Sequence, residues 1–164
     1  MNLKDKLKMS NLEIAINGVK IASKILNIPE PEVYFISSDN LPNKEITAIF
    51  LFDEYEIPFN EDWVMSVPWI EVMVTCFHES RHAYQAHSIN NEVNENDKTL
   101  TLWKKEFDSY NNPSGDNTPI SDVSYLRQSI EVDAIRFAHD KIKELFNVKT
   151  IVPDEMKDLV FKKL

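Results

Sequence analysis

At 164 residues, with 43% hydrophobic and 27% charged content, the chain has the size and balance of one globular domain, 1–164, able to bury roughly two-thirds of its unfolded surface without disulfide or metal staples. A formal net charge of -9 argues against a nucleic-acid partner, because affinity for phosphate backbones comes from Lys and Arg. The single cysteine, Cys76, excludes an internal disulfide and fits a reducing, cytoplasmic setting.

The segment Met1–Ser10 is basic and polar and lacks the apolar stretch of a secretion signal, so none is expected. Leu12, Ile14, Ala15, Val19, Ala22 and Ile25 recur at helical spacing until Pro29 and Pro31 stop the pattern, which predicts a first helix over roughly 10–27. Val33–Ile36 and Ile46–Phe52 are rich in β-branched and aromatic residues and predict two strands. Tyr55, Glu56, Ile57, Phe59 and Asn60 continue as a third, and Pro58 within it, lacking a donor, favours the edge of the sheet.

From Pro68 to about Ser88 the spacing is helical again, with Ile70, Met73, Phe77 and Tyr84 on one side. Its most apolar run, Val72–Phe77, is far short of the about 20 residues that cross a bilayer, so no membrane partner is expected. Residues 89–122 are polar, interrupted by an amphipathic set of Leu100, Leu102, Trp103 and Phe107. A long helix over Leu126–Asn147 follows, and Pro153 opens a short final helix to Leu164. The pattern is α+β: a small, mostly antiparallel sheet with an edge strand beside the second helix, packed against further helices.

That second helix contains His78-Glu79-Ser80-Arg81-His82. Residues four apart on a helix lie one above the other, so both imidazoles can reach one Zn2+. Glu79 sits about 100° around the helix, beside the metal, where a carboxylate can act as general base toward water. The plain alternative is two surface histidines and a solvated glutamate. Against it, the apolar residues project from the opposite side, which leaves the His/Glu face to line a cleft.

A zinc of this type needs a third protein ligand. On the long helix, Ala134, Ile135, Ala138, Ile142 and Leu145 fall within about 60° of Glu131, which sets a carboxylate inside an apolar stripe. A buried carboxylate is normally paired or bound to metal, and Ala134 and Ala138 permit close helix approach, so Glu131 is the predicted third ligand. Asp133 points about 200° away and reads as a solvated carboxylate, with contact to a ligand histidine as the alternative. Tyr125, Arg127 and Arg81 are candidate donors to a developing oxyanion, each also explicable by surface contacts. His139 lies about 12 Å along the axis from Glu131, His87 points to the far side of its helix, and Cys76 faces the core, so none is a predicted ligand.

The stretches Phe77-His78-Glu79-Ser80-Arg81-His82-Ala83-Tyr84-Gln85 and Glu131-Val132-Asp133-Ala134-Ile135-Arg136-Phe137-Ala138 resemble the ImmA/IrrE-type zinc metallopeptidases, whose pattern couples His-Glu-x-x-His with a later Glu-x-x-Ala-x-x-Phe-Ala helix. The resemblance spans roughly residues 45–140. It implies a minimal zincin-like fold, one zinc per chain with a gluzincin-like third ligand at Glu131, and a protein substrate of regulatory kind, since members are often carried on mobile elements and some act on repressors. Ser80-Arg81 departs from the glycine that often precedes the second histidine, and a long polar insertion separates the two halves. Three readings follow: a zinc peptidase holding a peptide along Tyr55–Asn60, a non-catalytic peptidase-like binding or regulatory module, and a metal hydrolase of other bonds. The intact Glu79 and the strand favour the first.

Overall fold

The computed structural model describes residues 9–110 and 123–162. Helix α1, Asn11–Leu26, starts in a capping box: Ser10 accepts from the backbone N–H of Glu13, and the Glu13 carboxylate accepts from the backbone N–H of Ser10 at 2.8 Å. It ends at Asn27, whose left-handed φ of 54° stops the helix ahead of Pro29. Ala15, Val19 and Ala22 are fully buried against helix α3, Trp69–Asn91, and Gly18 permits the close approach. A Cβ at Gly18 would stand 2.7 Å from Sγ of Cys76.

Strand β1, Glu32–Ile36, pairs in parallel with β2, Glu56–Asn60, in the register Val33↔Ile57 and Phe35↔Phe59. The regular ladder is therefore parallel, not the antiparallel one expected. The chain between them folds back onto the free side of β2, where Ala48 bridges Phe59 and Leu51 bridges Glu56, both antiparallel. The two bridges share one register. Ile49 donates to the Pro58 carbonyl at 3.3 Å, but Pro58 has no N–H to return, so the segment Ile46–Phe52 keeps two isolated bridges where a strand was predicted.

Consequently β2 is not an edge. It lies between β1 and the 46–52 segment, and Ile57, Pro58, Phe59 and Asn60 are buried. Tyr55 lies outside the strand, in the turn before it, with a φ of 59°, and its hydroxyl donates to the Pro29 carbonyl at 3.0 Å. The predicted peptide-binding edge along Tyr55, Glu56, Ile57, Phe59 and Asn60 is thus closed by backbone on both sides.

Asn60 caps a short helix α2, Glu61–Ser66, by accepting from the N–H of Trp63 at 3.2 Å. Asn11 then ties α1 to the α2–α3 junction by donating to the carbonyls of Val64 and Val67. Helix α3 runs through the centre of the molecule, packed on α1 by Val72, Met73 and Cys76 and covered elsewhere by α4, Asp97–Asp108, and α6, Ser129–Phe146. The amphipathic set predicted before residue 110 is α4, which buries Leu100 and Trp103 and leaves Leu102 exposed. The second described segment opens with a single turn, α5, Val123–Leu126, ahead of α6. After α6, a 3-10 turn, Asp154–Met156, and α7, Lys157–Val160, replace the longer final helix expected, and Lys163 and Leu164 lie outside the described residues. Among the described residues no helix is long and apolar enough to cross a membrane.

Candidate metal centre

The central position of α3 alters the expected surroundings of the motif. Instead of lining an open cleft, its polar face is roofed by α6 and by the C-terminal turn of α4. Glu79 is 8% exposed, His82 6% and Glu131 0%, while His78 keeps the most access to solvent.

Within that enclosure His78 Nε2 stands 3.1 Å from His82 Nε2. Glu131 completes a triangle, with Oε2 at 3.2 Å from His78 Nε2 and Oε1 at 3.3 Å from His82 Nε2. The ligand atoms of these three residues all lie within 4.8 Å of one another, close enough to hold one metal ion. Sequence reasoning named the same three.

The approach of α6 rests on three features. Ala134 and Ala138 are buried and present no bulk, the Phe77 and Phe137 rings stack with centroids 5.9 Å apart, and Glu106 of α4 caps the helix. The Glu106 carboxylate accepts from the backbone N–H groups of Ser129 and Ile130, each at 3.0 Å, supplying the negative charge that a helix N-terminus favours. Glu131 follows directly in that first turn.

Two imidazole Nε2 atoms and a buried carboxylate share a space with too few protons to satisfy all of them. Burial alone would raise the pKa of Glu131, but the adjacent His82 and His78 outweigh it and hold the carboxyl well below its usual range. Burial depresses His82, yet the carboxylates of Glu131 and Glu79 prevail and its pKa is pushed up to about 9. Even so, Oε2 of Glu131 is buried and makes no well-formed hydrogen bond, its polar neighbour being His78 Nε2 at 3.2 Å. A buried acceptor in that state costs free energy unless something binds it. A cation fits all three observations: it satisfies Oε2, replaces the shared proton, and suits a His2Glu donor set.

Tyr110, which the sequence reading passed over within a polar stretch, donates its hydroxyl to Oε1 of Glu131 at 2.5 Å. Burial and the Glu131 charge push its pKa far up, so it is a donor at any neutral pH. Tyr125 packs edge-on to Tyr110 with centroids 6.0 Å apart, and burial, with Glu131 nearby, raises its pKa too. Tyr125 thus stands beside Tyr110, within the field of Glu131.

Arg127 is elsewhere. It donates to the Glu155 carbonyl at 3.1 Å and faces Asp158 on the surface, joining the start of α6 to the C-terminal segment. Arg81 is drawn away from the metal ligands into a two-point ion pair with Asp133, at 2.8 and 3.1 Å. Asp133 is thereby a partly buried paired carboxylate and not a solvated one, and it also accepts from Gln85 at 2.8 Å. Gln85 in turn lies 2.9 Å from Nδ1 of His82. Its position three residues after His82 was the available signal, since i and i+3 side chains on a helix are neighbours.

The remaining histidines and the thiol sit apart from the centre. His139 is buried with Nδ1 at 2.7 Å from the Thr150 hydroxyl, and His87 contacts Asn91. Cys76 is buried in the α1–α3 seam and donates weakly to the Ala15 carbonyl.

No protein-family model matches this chain, and neither a curated protein nor a solved structure matches it.

Proposed function

We propose that the chain is a zinc metallopeptidase of minimal zincin-like fold, with His78, His82 and Glu131 holding one Zn2+ and Glu79 as general base. The observation that supports this most is the convergence of the three donors on one buried point, with Glu79 on the adjacent side of the same helix. When bound there, zinc supplies Lewis acidity, lowering the pKa of a water and polarising the carbonyl to be attacked.

The protein groups divide the remaining work. The Glu79 carboxylate takes a proton from the attacking water and returns it to the leaving amine nitrogen. Tyr110 spends its phenolic proton on Glu131 and so orients that ligand, and Tyr125, edge-on to it, is the phenol assigned to a developing oxyanion. The enclosure by α4 and α6 excludes bulk water, which strengthens each of these interactions.

A peptide substrate needs a free backbone edge, and the 46–52 segment offers one where β2 does not. The Thr47 carbonyl, the Ile49 N–H and both backbone groups of Leu51 bond to β2, and alternation turns the N–H and C=O of Ala48 and Phe50 outward. The same segment leads to the site, because Phe52 packs on Phe107 at 4.8 Å and Phe107 packs on His82 at 6.3 Å. A protein substrate, in the implied regulatory class, would add there as an antiparallel strand.

The test compares the proteomes of cells expressing the wild type and Glu79→Gln. Wild-type-specific cleavage products support the reading, with turnover of a recovered substrate reduced about 10^2- to 10^4-fold in the variant. Identical products in both strains would leave the peptidase reading without support from its own base.

A further inference from the structure

Gln85 is fully buried, and the geometry of its amide admits one orientation. Its Nε2 carries two protons, and two acceptors stand opposite them: the Ile130 carbonyl at 3.0 Å and Oδ2 of Asp133 at 2.8 Å. Neither can donate, because a carbonyl has no proton and Asp133 is held as a carboxylate by two hydrogen bonds from Arg81. A flipped amide would set its oxygen against both acceptors. Oε1 must therefore face Nδ1 of His82, at 2.9 Å, and an oxygen acceptor requires a proton on that nitrogen.

The consequence reaches the metal ligands. With Nδ1 protonated, a neutral His82 keeps its lone pair on Nε2, the atom that faces His78 and Glu131. The Ile130 carbonyl that Gln85 grips belongs to the residue before Glu131, so one side chain fixes the ring on α3 and the turn of α6 that bears the third ligand. Behind it, Arg81 Cζ lies over the Tyr84 ring, 4.0 Å from its centroid, with the Phe137 ring at 5.2 Å, and Glu95 stands 4.0 Å from its guanidinium. The chain Arg81, Asp133, Gln85, His82 is continuous.

We propose that Gln85, oriented by Asp133 and Arg81, is a positioning residue that sets the tautomer of His82 and the placement of Glu131, so that metal affinity depends on a side chain that does not touch the metal. This rests on the metal-centre reading above. Groups that orient metal-ligating histidines are commonly carboxylates or backbone carbonyls. Here a neutral amide does so, and its own direction is set by an ion pair.

The test uses the full chain loaded with Zn2+. Nitrogen-15 spectra of labelled histidine should show the His82 proton on Nδ1. Competition with a chelator should show Gln85→Leu binding zinc about 10- to 100-fold more weakly. Gln85→Glu should also bind weakly, since it sets a second carboxylate against Asp133. A His82 proton on Nε2, or unchanged zinc affinity in a folded Gln85→Leu, would overturn the proposal. Should Gln85→Leu fail to fold, the metal-free wild type at alkaline pH decides, because there no metal holds the proton of neutral His82 on Nδ1 and only Gln85 can. Should the wild type bind no zinc, the metal-centre reading fails, and the Nδ1 proton of neutral His82 in the metal-free chain at alkaline pH still tests the orienting role.

Discussion

Tyr110 and Glu131, separated by a long stretch of sequence, meet through a hydrogen bond of 2.5 Å from phenol to carboxylate. The contact orients a proposed zinc ligand at Oε1, the same oxygen that His82 Nε2 approaches to 3.3 Å. Replacing Tyr110 by Phe should therefore leave the fold intact and weaken zinc binding by about tenfold, the lower end for partners of metal ligands. Zinc competition on the purified variant measures it. Unchanged affinity would assign the tyrosine to packing alone.

The seam between α1 and α3 makes a separate prediction. Gly18→Ala gains about 1 kcal/mol of helix propensity but forces a methyl group to 2.7 Å from Sγ and 3.0 Å from Cβ of Cys76. Overpacking of a tight core costs about 1–3 kcal/mol, so the variant should be less stable by about 1 kcal/mol and unfold a few degrees lower. Thermal unfolding decides the sign, and a stabilised variant would show that the seam can open.

Tyr55 provides a pH dependence away from the metal. Burial pushes its pKa from 10.0 up to about 12, so the folded state favours the neutral phenol that donates to Pro29. A raised folded pKa means that the contribution is complete below pH 10 and is lost as pH rises toward 12. The stability advantage of the wild type over Tyr55→Phe should narrow across that window in denaturant titrations. A constant difference would contradict the assignment.

How much of this was legible beforehand differs by element. His78, His82 and Glu131 were readable because i, i+4 spacing fixes two of them and an apolar, alanine-lined stripe singles out the third. Helix α1 was readable from its periodicity and its two prolines. The direction of strand pairing was not, because Val33–Ile36 and Ile57–Phe59 carry an apolar signal that is the same for parallel and antiparallel partners. Pro58 misled in an instructive way. Its missing donor does face a weak ladder, but that ladder is the irregular 46–52 segment, which covers β2. Tyr110 and Glu106 lay in or beside a polar stretch where no period assigns a face, and their roles arise only when α4 meets α6.

The central claim is a single zinc held by His78, His82 and Glu131, and the most direct measurement is a zinc titration of the metal-free chain beside Glu131→Ala and Glu79→Gln. The account predicts one zinc per wild-type chain, loss of stoichiometric binding in Glu131→Ala, and retention in Glu79→Gln. A wild-type chain without stoichiometric zinc, or Glu131→Ala binding as tightly as wild type, would contradict it.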